Sequence, residues 1–256
     1  MLWPRVESQR YVLPLLVALV ALAWAGLAVW GVSPYGAYLR HDELGEVDVS
    51  LSLGFLGVFG LFVAGWTVMT VAMMLPTALP LVHLFRRFVA GRANADGLVA
   101  LVVVGYLLVW ASFGALAHVA DVGIHQAVER TPWLHANTWV IGAGVLLAAG
   151  VYQFTPLKYM CLDKCRSPYL FIAGRWRGRA PQRDALALGV AHGVFCVGCC
   201  WSLMLLMFGL GVGNLAWMLV LGIFMAAEKN LAWGKKLSAP VGAMLISAGV
   251  TVVVLQ

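Results

Sequence analysis

The chain has 256 residues, of which 62% are hydrophobic and only 11% charged, and its mean hydropathy of +0.89 is too high for a soluble globule of this length. The formal net charge of +6 comes from cations scattered between apolar runs. That excludes the basic stripe of a nucleic-acid binder and leaves a polytopic membrane protein with lipid as its first partner.

The first apolar run, near 11–32, follows Arg5 and Arg10. It is longer than a secretory signal core and no small-residue cleavage site closes it, so a retained helix is expected. The segment 33–50 then gathers His41, Asp42, Glu43, Glu46 and Asp48, the composition of a solvated acidic loop. Further apolar runs follow near 53–82, 97–120, 137–158, 185–209, 214–233 and 238–255. An apolar helix needs about 20 residues to cross the hydrocarbon, so about seven transmembrane helices are expected. The last, opening at Ser238-Ala239-Pro240, is the shortest and the least secure as a full span. Period-2 alternation is missing, which favours an all-α bundle over a barrel.

The whole chain, 1–256, reads as a single integral membrane domain. Within it, 161–183 reads as a cytoplasmic interfacial loop, because Tyr169, Leu170, Phe171 and Trp176 are mixed there with Arg175, Arg177 and Arg179. Of the 17 Lys and Arg residues, all but Arg40 and Arg130 fall on one side of the expected topology. The positive-inside rule then puts the N-terminus in the cytoplasm and fits a multi-pass protein of a bacterial inner membrane.

The chemistry concentrates in the fifth run, AHGVFCVGCCWSLM. At roughly 100° per residue, His192, Cys196 and Cys199 fall within about 60° of one helix face, with Cys200 beside them. Imidazole and thiolate together are ligands for copper, zinc or iron, and soft thiolates favour Cu(I). Thiols must lose protons to bind metal, so affinity should rise with pH. A lone membrane cysteine is ordinary packing, but a histidine and several cysteines in nine residues are not.

The second run offers Met69 and Met73, one turn apart, as soft thioether ligands, with Met74 displaced by one residue. Pro76 and Pro80 each remove a backbone donor and should kink the cytoplasmic half of this helix, and His83 lies at its edge. The fourth run ends in YQFTPLKYMCLDKC. There Gln153 is polar within the span, Pro156 breaks the helix, and Cys161 and Cys165 form a CxxxC pair read as a metal way station just outside the membrane. The sixth run ends in AAEKN. Glu228 is costly in hydrocarbon without a partner; Lys229 diverges from it by about 100°, so Lys158 is its better partner and the two, with Gln153, are candidates for charge coupling.

The segments AGWTVMTVAMMLPTALP, YQFTPLKYMCLDKCRSP, HGVFCVGCCWSLM and AAEKN together resemble a bacterial family of uncharacterised domains described as predicted metal-binding integral membrane proteins, over about Gly65 to Asn230. The resemblance implies roles for Trp66, Met69, Met73, Met74 and Pro76, for Gln153, Pro156, Lys158, Cys161 and Cys165, for His192, Cys196, Cys199, Cys200 and Trp201, and for Glu228 with Lys229. The leading expectation is a protein that binds, and translocates or delivers, a soft transition metal. Copper is favoured over zinc or iron, and a metal-donor or acceptor protein is the expected partner. The alternative is a thiol-disulfide oxidoreductase using Cys196/Cys199 and Cys161/Cys165, against which the external face offers no cysteine. Enzyme or carrier, and the oligomeric state, both stay open at the level of sequence.

Overall fold

A computed structural model describes residues 9–32, 50–210 and 214–256. The acidic segment expected at 33–50 lies outside them except for Ser50. Among the described residues the chain is an all-α polytopic bundle: α1 (Gln9–Val32), α2 (Ser50–Met73), α3 (Leu75–Phe88), α4 (Ala95–Arg130), α5 (Pro132–Ala136), α6 (Trp139–Tyr152), α7 (Pro156–Arg166), α8 (Pro168–Arg175), α9 (Pro181–Leu210), α10 (Leu215–Asn230), a 3-10 turn (Gly234–Leu237) and α11 (Ser238–Leu255). Among the described residues strands are missing because the apolar runs carry neither alternation nor turn signals at strand spacing.

Among the described residues four stretches are long and apolar enough to cross a membrane, namely Pro14–Gly31, Ala95–Arg130, Pro181–Phe208 and Gly234–Leu255. Two more spans arise if each bent pair counts as one: Phe59–Met73 with Leu75–Phe88, bent by 66°, and Trp139–Tyr152 with Pro156–Arg166, bent by 63°. The total of up to six differs from the expected seven in one element. The sixth apolar run is helix α10, whose 16 residues are shorter than a full crossing, whereas the last run gains the 3-10 turn and reaches 22 residues.

Both bends follow from proline. Pro76 opens α3 and Pro156 opens α7, at positions where a missing N–H costs nothing. At the first bend the Met74 carbonyl accepts from the Thr77 hydroxyl at 2.7 Å and from the Tyr106 hydroxyl at 3.2 Å. At the second, Thr155 caps α7 by accepting from the Lys158 backbone N–H. The segment 161–183 is therefore mostly helical. The end of α7 and α8 occupy it, and Cys161, Leu162, Phe171 and Ile172 are buried. Its apolar residues cover the bundle instead of only lying against headgroups, while Tyr169 and Leu170 do remain exposed.

The central contact is α4 against α9. A Cβ on Gly189 would stand 2.1 Å from the Val102 carbonyl oxygen, and one on Gly105 would stand 2.5 Å from that of Leu186. The two backbones touch because these small residues let them, the usual means of helix association where lipid supplies no hydrophobic drive. Indole N–H groups fasten the flanks: Trp66 donates to the Trp110 carbonyl at 3.0 Å and Trp24 to that of Ala72 at 3.1 Å.

Gly189→Ala should cost about 3 kcal/mol, the upper part of the overpacking range, since backbone must move to admit the methyl group. Gly97→Ala, where nothing lies within 4 Å, should cost nothing. Unfolding of detergent-solubilised protein, compared between the two variants, checks the contrast.

Candidate metal centre

Helix α9 crosses the middle of the bundle and presents Cys196, Cys199 and Cys200 on its inward side, all buried. Their three Sγ atoms lie within 4.8 Å of one another. The Cys199 and Cys200 thiols donate back to the Cys196 carbonyl at 3.1 and 3.0 Å, which holds both side chains along the helix. From α7, Cys165 adds a fourth sulfur 4.0 Å from Cys199. At the α2–α3 bend the thioether of Met74 stands 3.8 Å from Cys200 Sγ. All five cysteines are free thiols.

The other expected ligands are placed differently. Met74 takes the position foreseen for Met69 or Met73: its N–H still bonds the Thr70 carbonyl at 2.8 Å, so it lies one turn beyond Thr70, on the face beside the Met69–Met73 stripe. Met73 packs instead over Gly222 of α10, and Met69 is buried in the apolar core. His192 is also outside the sulfur group. Tyr106 of α4 stacks on its imidazole, ring centroids 5.7 Å apart, and reaches past it to Cys196 Sγ at 3.1 Å. Phe171 packs edge-on against the same imidazole, and the His192 Nδ1 has no hydrogen-bond partner. Cys161 is buried against Gly198, where an added Cβ would stand 2.6 Å from its sulfur, so it serves the α7–α9 contact.

Two charged networks flank the sulfurs. Lys158 of α7 pairs with Glu228 of α10 at 2.8 and 3.1 Å and also donates to the Gln153 side-chain oxygen. The Gln153 amide in turn reaches Ser202 of α9 at 3.4 Å, and Ser238 at the start of α11 donates to Glu228. The partnership of Lys158 with Glu228 thus forms, and the three residues expected to couple charge sit together. Lys229, the next residue, points the other way: its ammonium lies 2.9 Å from Cys196 Sγ, 3.6 Å from Cys200 Sγ and 3.2 Å from the Thr77 hydroxyl. Among the described residues no carboxylate contacts it. Its sulfur contacts were not foreseen, nor was Tyr106. The signal for Lys229 lay in AAEKN, where a glutamate already claimed by Lys158 obliges its neighbour, 100° around the helix, to find another partner.

Buried thiols gathered with a thioether and an ammonium inside an all-α polytopic bundle form a group that could hold a soft metal ion. The PpoB2 copper chaperone family matches residues 63–252, and the chain belongs to that family. No curated protein and no solved structure matches it.

Removing one member of the buried ion pair strands the other. Lys158→Met should destabilise the fold by about 3–5 kcal/mol, and the double variant Lys158→Met/Glu228→Gln should recover most of that loss. Denaturation of the single and double variants in detergent measures it.

Proposed function

We propose that this protein is a multi-pass bacterial inner-membrane copper chaperone that holds Cu(I) at Cys196, Cys199 and Cys200, with Met74 as a thioether ligand, and passes it to or from another protein. The observation that carries this reading is the cluster itself, three buried cysteine sulfurs within 4.8 Å of one another with Met74 Sδ 3.8 Å from Cys200. Thiolates and thioethers together suit Cu(I); a thioether contributes little to zinc, which takes thiolate, imidazole or carboxylate.

Charge supports the same assignment. With two of the three cysteines deprotonated and the third a neutral thiol, bound Cu(I) carries one net negative charge, and the Lys229 ammonium, 2.9 Å from Cys196 and 3.6 Å from Cys200, brings the buried unit to neutrality. Lys229 is therefore a neutralising residue and not a ligand. With its charge cancelled locally, the loaded site can sit in a low-dielectric interior without a carboxylate of its own. Copper here is cargo, and no step in holding it transfers an electron. The basic segments support a cytoplasmic position for the α3, α7 and α10 ends of the bundle.

Protein purified under reducing conditions and loaded with Cu(I) should retain copper stoichiometrically, and Cys196→Ser/Cys199→Ser should lose it, as elemental analysis reads. Undiminished copper in the double variant would sink the assignment. Met74→Leu should weaken Cu(I) binding by about tenfold, equivalent to 1.4 kcal/mol, while Met69→Leu should leave it unchanged. Competition against a chromophoric Cu(I) chelator distinguishes the two methionines.

A further inference from the structure

A cleft of about 500 Å³ opens at the end of the bundle where α3, α7 and α10 meet. Cys165 and Lys229 line it, together with Leu79, and His83, Arg166 and Asn230 also contribute. His83 and Asn230 are exposed, while Cys165 is half-buried. Since Cys165 Sγ lies 4.0 Å from Cys199 Sγ and Lys229 Nζ lies 2.9 Å from Cys196 Sγ, the cleft connects the surface to the edge of the buried thiols.

The lining has a sign. Arg166 directs its guanidinium at the carbonyl oxygens of Glu228 and Ala232, so no carboxylate cancels its charge. Lys229 faces sulfur and the Thr77 hydroxyl. Among the described residues no carboxylate lines the cleft. Such a mouth repels a bare monovalent cation and attracts an anion.

Building on the Cu(I) site proposed above, we infer that this cleft is the loading port and that it admits copper as an anionic Cu(I)–thiolate complex, with Cys165 as the first protein ligand. Each exchange is a proton-balanced ligand swap: the Cys165 thiol bonds to Cu(I), one Cu–S bond of the incoming complex breaks, and the Cys165 proton goes to the departing thiolate. A second swap moves the ion from Cys165 to Cys199, the Cys199 proton passing to Cys165, and a third replaces the remaining incoming thiolate by Cys196, whose proton leaves on that thiolate. Copper stays Cu(I) throughout. Cys165 acts on the path, and the resting ligands are those of α9 and Met74.

The test is stopped-flow loading of the full chain in detergent from two sources, the anionic bis-glutathione complex of Cu(I) and the cationic tetrakis(acetonitrile) complex, followed by the copper content at equilibrium. Cys165→Ser should slow loading roughly tenfold from both sources while reaching the parent's final copper content. Asn230→Asp adds a negative charge to an exposed position at the mouth. It should slow loading from the anionic source by about fivefold and not from the cationic one, with Asn230→Gln behaving as the parent. Parent-like rates in both Cys165→Ser and Asn230→Asp overturn the port while leaving the buried site intact. A parent protein that retains no copper from either source overturns the site itself.

Discussion

Two adjacent charged residues at the end of α10 face opposite ways, and the arrangement of the protein's interior depends on it. Glu228 turns to Lys158 and Ser238, drawing α7 and the start of α11 onto α10. Lys229 turns to Cys196 and Thr77, drawing α9 and the α2–α3 bend onto the other side. Neither residue can be housed alone in an apolar interior at tolerable cost. The short helix is consequently held between two partners, and the sulfur cluster lies on the side to which Lys229 brings its positive charge.

That division explains why a helix of only 16 residues has a fixed place in the bundle. Arg166 donates to the carbonyls of Glu228 and Ala232, placing a cation at the negative end of α10. At Gly234 the chain folds back so closely that an added Cβ would stand 2.2 Å from the Ala227 carbonyl oxygen, and this return delivers Ser238 to Glu228. The metal centre is thus supported from α7, α10 and α11 as well as from the helix that carries its cysteines. Membership of the copper chaperone family agrees with a site whose ligands are soft and whose surroundings are polar only where a partner waits.

The cysteines of α9 were legible in the chain because they are local, and helical spacing alone puts them together. Lys158 and Glu228 were legible for a different reason, since a buried charge requires an opposite one and few candidates existed at that depth. What was hidden is what depends on a second helix. Met69 and Met73 continue a helical stripe, whereas Met74, in register with Thr70, reaches the thiols because α9 packs against that neighbouring face. His192 has the right angular position on α9, but the aromatic ring of Tyr106 from α4 stacks on it, and no pattern within α9 announces a side chain from another helix. The helices within 161–183 were likewise not legible, because Pro156 and Pro168 restart helices at their first turns as readily as they interrupt them.

Gly198 separates the cysteines of the Cys196-Val-Gly-Cys199 motif and sits directly against the Cys161 sulfur, at a distance that leaves no room for a methyl group. Positions 161 and 198 therefore share one fixed volume across the α7–α9 boundary. In any related chain that keeps this geometry, a side chain gained at 198 has to be matched by one lost at 161, so the two sites will drift together or not at all. Cys161 would then persist or vanish with its neighbour's size alone, a pattern of descent that separates it from the cysteines proposed to hold the metal.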